Sequence, residues 1–269
     1  MSRSKRILVT FAIVGSICLA YLWFFGVATM FALEARYVAW KIPVVKMTPV
    51  ELPDQTIAQG AGRKLACFGY EFEVPWEIDE AKSQELEQYN PQPRKEQFIE
   101  FRSGSRLTVF RIAPREFVNR FLSTGKTFLG APFLLVGWAY PGAPKALYGE
   151  DVLQSDYSWK ERILETTPDK VGLLTSGKEA AASALLLVIK GIMMPGGSES
   201  GMYRIRTGDF RGFQFGDPRS RKPLILEIYN EEGGFAFLFA QRKNSSEPPI
   251  PQAEINSIIQ SVRKSDNKN

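Results

Sequence analysis

The side chains best equipped for chemistry in this 269-residue chain are carboxylates and guanidiniums, because it contains no histidine. Without imidazole, Ser–His–Asp and Cys–His nucleophilic sites are excluded within the chain. Histidine-ligated metals are excluded too, and two separated cysteines, Cys18 and Cys67, cannot build a zinc site. Cys67 sits in an apolar, strand-like stretch and reads as a small core residue rather than a nucleophile. What remains is paired-carboxylate chemistry of the glycosidase type, for which Glu227, Glu231, Glu232, Asp156 and Asp169 are the candidates. Spacing along the chain brings no two of them together, and charged residues on turns and strand faces are usually just solvated. No catalytic residue is therefore assigned.

A second group concerns binding. Arg204, Arg206, Arg211, Arg219, Arg221 and Lys222 cluster in sequence. On adjacent strands they would form a basic face suited to anionic lipid heads, glycans or an acidic partner. The competing reading is a solvated sheet face with Asp209 and Asp217 as counter-ions. Phosphate motifs fall short. Gly172, Gly177 and Lys178 have P-loop spacing, but Glu179 stands where Ser or Thr would hold magnesium. Gly60-Ala61-Gly62 opens a glycine-rich loop that lacks its third glycine and a preceding strand. Gly197 and Gly201 have the wrong spacing for a nucleophile elbow. No cofactor or metal is expected.

The elements that must position these groups follow from periodicity and turn signals. Tyr70, Phe72, Val74 and Trp76 alternate with Glu71, Glu73, Pro75 and Glu77, a strand with one wet face. Residues 97–102 and 106–113 flank Ser103-Gly104-Ser105 and predict a hairpin. Capping boxes at Ser158–Glu161 and Ser176–Glu179 predict two helices, the second running through Met194 and central to the core. Residues 202–215 return to strand, with Tyr203 and Ile205 facing one way and Arg204 and Arg206 the other. Leu224–Tyr229 and Phe235–Gln241 flank Glu231-Glu232-Gly233-Gly234, the clearest hairpin. Ile255, Ile258, Ile259 and Val262 form one apolar stripe on a closing helix.

Ile7–Leu33 is uncharged and follows Arg3, Lys5 and Arg6. Its length suffices for a transmembrane helix, which needs roughly 20 apolar residues. The expectation is a retained single-pass signal-anchor in the lipid bilayer through residues 7–33, with a basic cytoplasmic tail at 1–6. A membrane-proximal linker at 34–64, an extracytoplasmic domain at 65–264 and a frayed tail at 265–269 complete the organisation. The apolar run 128–140 is a further candidate for touching a membrane surface. Arg3, Lys5 and Arg6 account for three of the 34 basic residues, leaving 31 against 29 acidic ones. The net charge of +5 therefore does not argue for nucleic acid.

The fold class expected is α+β, with a mostly antiparallel sheet of about six strands packed with helices. Gly69-Tyr70-Glu71-Phe72-Glu73-Val74-Pro75, the following hairpin, and the closing hairpin plus helix resemble the Mog1/PsbP-like α/β/α sandwich. The likeness covers residues 67–113 and 203–264. It implies a binding or assembly role without chemistry and carries over no functional residue. The expected function is a membrane-anchored, non-catalytic binding or assembly module of the cell envelope with a protein partner. The rivals are a carboxylate-dependent envelope hydrolase and a membrane-surface or lipid-sensing domain.

Overall fold

The computed structural model describes residues 13–17, 21, 26, 29, 31–53, 55–58, 62–89, 96–114, 116, 155–171, 177–220, 222–231, 233–240 and 250–265. The strands are β1 (Val50–Glu51), β2 (Arg63–Cys67), β3 (Tyr70–Val74), β4 (Glu96–Glu100) and β5 (Arg106–Ile112). After them come β6 (Met202–Thr207), β7 (Phe210–Phe215), β8 (Leu224–Asn230), β9 (Gly233–Ala240) and β10 (Arg263–Lys264). The described residues include the helices α1 (Glu80–Tyr89), α2 (Asp156–Glu165), α3 (Gly177–Met193) and α4 (Gln252–Ser261).

Local turn chemistry closes the hairpins. Phe68 and Gly69 both have positive φ, as a two-residue turn between β2 and β3 requires. Gly208, at φ +50°, opens the two-residue turn between β6 and β7. Asn230 accepts the Gly233 backbone N–H on its side-chain oxygen at 3.1 Å, bracing the β8–β9 turn.

The strands form two sheets, one of seven in the order β1-β6-β7-β8-β9-β5-β4 and one of three in the order β10-β3-β2. The seven-stranded sheet is mixed: β1 runs parallel to β6, and every other pair is antiparallel. Two sheets, the larger of seven strands and mixed, correct the expectation of one sheet of about six strands. Short β1 and β10 carry no periodic signal, and their partners lie far along the chain.

The chain divides into two compact units. The first comprises Met1–Met47, Asn119–Val152 and Arg162–Met193; the second comprises Thr48–Val118, Leu153–Glu161 and Met194–Asn269. In the second, α4 and the three-stranded sheet cover one face of the large sheet. Phe72, Val74, Leu226, Phe237, Ile255 and Ile258 belong to that core. Phe72 meets Phe237 edge-to-face at 4.7 Å. Each such buried ring contributes roughly 2–3 kcal/mol. The other face carries Phe213, Phe215, Glu227 and Tyr229, and the first residues of α2 lie on it.

In the first unit, residues 31–41 are helical and bury Phe31, Ala32, Ala35, Val38 and Ala39. α3 packs against the 3-10 turns Pro43–Lys46 and Pro168–Lys170. Among the described residues, no helix is long and apolar enough to cross a membrane. The transmembrane, single-pass, signal-anchor expectation is corrected accordingly. The helical stretch that includes Leu33 continues through the charged residues Glu34, Arg36 and Lys41, and Leu33, Tyr37 and Trp40 are exposed on it. α3 spans 17 residues and contains Glu179 and Lys190. Residues 1–12, most of 18–30, the apolar run 128–140 and the P-loop-like residues 172–176 lie outside the described residues.

A candidate anion-binding face over a buried polar cluster

β8 carries Glu227 between Leu226 and Ile228, so strand alternation turns its side chain away from the main core toward α2. There Lys160 donates from Nζ to Glu227 Oε1 at 2.9 Å. Tyr229, two residues along the strand on the same face, donates its hydroxyl to Glu227 Oε2 at 2.7 Å. Both carboxylate oxygens are thereby engaged. Lys160 is 1% exposed and Glu227 7%. Lys160 Nζ also lies 5.2 Å from the centre of the Phe215 ring. Gly234 faces Tyr229 across β8–β9, and a side chain there would collide with the Tyr229 ring. Burial pushes the Tyr229 phenol well above its usual range, with the negative charges of Glu227 and Asp156 adding to the effect.

α2 starts where Ser155 accepts the Ser158 backbone N–H at 3.2 Å, so the cap is Ser155 rather than Ser158. That start places Asp156, Lys160 and Glu161 over the sheet. Tyr157 stacks on Phe213 at 5.2 Å and donates its hydroxyl to Glu161 at 2.9 Å. Burial, and then the Glu161 contact, raise the Tyr157 phenol as well. Glu161 in turn meets Arg204 at 3.7 Å, and Arg204 donates to the Pro49 carbonyl at 2.8 Å.

The six basic residues separate. Arg204, Arg206 and Arg211 share one face, with Arg206 directly opposite Arg211. Arg219 and Lys222 lie beyond the far end of β7, about 13 Å along the strand from Arg211. Lys222 is paired with Glu199 at 2.7 Å. Arg221 lies outside the described residues. The Arg206–Arg211 pairing has a specific geometry. The β6–β7 ladder starts from a two-residue turn, so Thr207 and Phe210 exchange hydrogen bonds and Arg206 and Arg211 form a non-hydrogen-bonded pair. In such pairs the Cα atoms are only about 4.5 Å apart and the side chains are closest. The two arginine side chains thus leave the sheet from adjacent positions on one face. Arg211 lies 5.9 Å from the Tyr157 ring, and among the described residues neither arginine meets a carboxylate. Asp209 and Asp217 pair with neither; Asp217 instead accepts the Arg219 backbone N–H.

The carboxylate candidates also separate. Asp156 and Glu227 are both buried near Tyr229. Glu231 is exposed in the β8–β9 turn, Asp169 is exposed in a 3-10 turn, and Glu232 lies outside the described residues. Among the described residues no cluster of three acidic or cysteine side chains could hold a metal ion. Burial raises the Cys67 thiol to about 12, so it is a protonated core residue at neutral pH. The sequence reading missed Lys160 and Tyr229. An isolated lysine on a helix and a tyrosine ending a strand carry no signal until the fold brings them to Glu227. Compared with protein-family models, with curated proteins and with solved structures, the chain matches none of them.

Proposed function

We propose that this chain is a non-catalytic binding module that receives an anionic partner on the face carrying Arg204, Arg206 and Arg211. One observation carries the reading: Arg206 and Arg211 stand opposite each other with no carboxylate between them among the described residues. Like charges directly opposed across strands destabilise a sheet, so the pair is a cost to folding unless something negative neutralises it. Paired guanidiniums suit carboxylate or phosphate groups, which they bind through charge-assisted, often bidentate, hydrogen bonds.

The acid–base groups beneath argue for a rigid platform rather than chemistry. Lys160 and Tyr229 together engage both carboxylate oxygens of the buried Glu227. Burial of Asp156 and Glu227 weighs against the hydrolase reading, because glycoside hydrolysis needs both carboxyls to flank a substrate. The resemblance of residues 67–113 and 203–264 to Mog1/PsbP-like domains points the same way.

The test is fluorescence anisotropy with labelled oligoglutamate and the full chain. Binding is expected to be saturable and to weaken steeply with salt. It should fall at least about ten-fold in Arg206→Ala/Arg211→Ala, the scale of losing charge-assisted bonds. Equal binding by wild type and double variant would overturn the assignment.

A further inference from the structure

The first unit turns an unusual face to solvent. Of the eight large apolar side chains exposed among the described residues, six belong to it: Ile13, Val14, Ile17, Leu33, Tyr37 and Trp40. Single exposures need no explanation, but three of these share one helix. Residues 31–41 bury Phe31, Ala35 and Val38 on one side and expose Leu33 by 60%, Tyr37 by 59% and Trp40 by 67% on the other. At about 100° per residue, Trp40, Leu33 and Tyr37 fall within about 60° of one another around the helix. Arg36 follows about 40° beyond Trp40 on one side, and Lys41 about 40° beyond Tyr37 on the other. Both are exposed. The exposed arc is thus apolar and aromatic in its middle and cationic along each border. Tyr37 and Trp40 are 6.0 Å apart, and Lys41 Nζ lies 4.4 Å from the centre of the Trp40 ring. Glu34, the one acidic residue of the stretch, is half-buried, with Oε1 shielded from water.

We infer that this arc rests in the interface of a bilayer bearing anionic headgroups, with the helix lying along the membrane surface. The inference concerns the first unit and is independent of the anion face on the second. An interfacial helix needs an apolar middle to enter the boundary between headgroups and acyl chains, and basic residues at its edges to meet phosphates. Tyr37 and Trp40 suit that depth, because each joins an apolar ring to a polar O–H or N–H. Leu33 beside them supplies aliphatic area. Arg36 and Lys41 can bury their methylene stems while their charged ends stay among the headgroups. The arc carries no carboxylate to repel an anionic surface. A protein partner would also favour the rings, but it gives no reason for cations on both borders of one helix face. Headgroups lie on both sides of an embedded helix, and so account for both cations. A helix placed in this way lies on the membrane and does not cross it.

Flotation of the full chain tests this, with phosphatidylcholine vesicles and with vesicles containing about one-third phosphatidylserine. The chain is expected to float with the anionic vesicles, and Leu33→Ser/Trp40→Ser to lose at least about ten-fold in partition. Arg36→Gln/Lys41→Gln should lose about ten-fold on anionic vesicles and little on neutral ones. All four positions are exposed, so unchanged circular dichroism should show that both variants fold. Trp40→Phe should keep its partition while the fraction of tryptophan emission quenched by brominated lipid falls. Arg206→Ala/Arg211→Ala should float like the wild type, which separates this contact from the anion face. Absence of flotation with either vesicle overturns the inference. So does flotation unchanged in both double variants, which places the lipid contact elsewhere in the chain. Sedimentation as a larger species without lipid, reduced to one copy by Leu33→Ser/Trp40→Ser, assigns the arc to a second copy and overturns it as well.

Discussion

Glu227 shows how one residue acquires meaning only from partners far along the chain. Its carboxylate is held by Lys160, 67 positions away, and by Tyr229 on its own strand. Breaking a buried pair from one side leaves an uncompensated charge, whereas removing both charges costs far less. Lys160→Met alone should therefore destabilise the protein by about 3–5 kcal/mol, and Glu227→Leu alone by a similar amount. The combined Lys160→Met/Glu227→Leu variant should recover most of that loss. Urea unfolding of the four proteins measures the coupling; additive losses would mean that the two side chains do not compensate each other. In sequence, Glu227 reads as one of several charged residues that are usually solvated, so its burial is not foreseen. Its lysine was not legible, because helix α2 signals its start and face but not which strand it will cover. The basic cluster was legible as composition, and strand alternation correctly grouped Arg204 with Arg206. What sequence could not supply was the register that sets Arg206 against Arg211 and sends Arg219 and Lys222 to the other end of β7.

At the scale of elements, Lys190 of α3 gathers three backbone carbonyls. Lys190, 0% exposed, donates to the carbonyls of Met47 at 2.6 Å, Leu164 at 2.6 Å and Thr166 at 2.9 Å. Leu164 and Thr166 lie at the C-terminal end of α2, where carbonyls lack helical partners and attract a cation. Burial, and after it the charge of Lys170, lowers the Lys190 ammonium to about 8. Lys190→Met strands three carbonyls and should cost at least about 2 kcal/mol. The pH dependence has a definite sign. With the folded value near 8 and the unfolded value near 10.5, the unfolded chain holds more protons in between. This group's contribution to stability therefore rises from about pH 8 to 10.5, so the deficit of Lys190→Met should widen over that window. Denaturant midpoints of both proteins at pH 7 and pH 10 check it, and a constant or narrowing gap would refute it. The hairpins were legible because their turn residues are local: Ser103-Gly104-Ser105, Gly208-Asp209 and the turn after Asn230 all name their strands. β1 and β10, two residues each, were not. β1 pairs in parallel with a strand about 150 positions later, a contact that local propensity does not encode.

The chain as a whole passes between its two units several times, so neither is one continuous segment. Such interleaving carries no signal in the order of segments along the chain, because the pieces of each unit lie far apart in sequence. The stretch read as linker contains helical residues 34–41 and strand β1, and α2 contributes Asp156–Glu161 to one unit and Arg162–Glu165 to the other. The units differ in how they are held. The second has a continuous apolar core drawn entirely from residues 67–262, with β5, β8 and β9 at its centre. In the first, α3 depends on residues 42–47: Ile42 and Val45 pack over Gly191, and Met47 accepts from Lys190. Removing residues 1–47 should therefore affect the units unequally. The truncated chain still begins ahead of Pro49, the acceptor for Arg204, and ahead of β1. Its β5, β8 and β9 amides should keep strong protection from hydrogen exchange, as expected for strands in the most stable cooperative part of a fold. The α3 amides should lose protection, with a matching drop in helical circular dichroism. Parallel loss in β8 and β9 would mean that the large sheet depends on the first unit and that its own core is not self-sufficient.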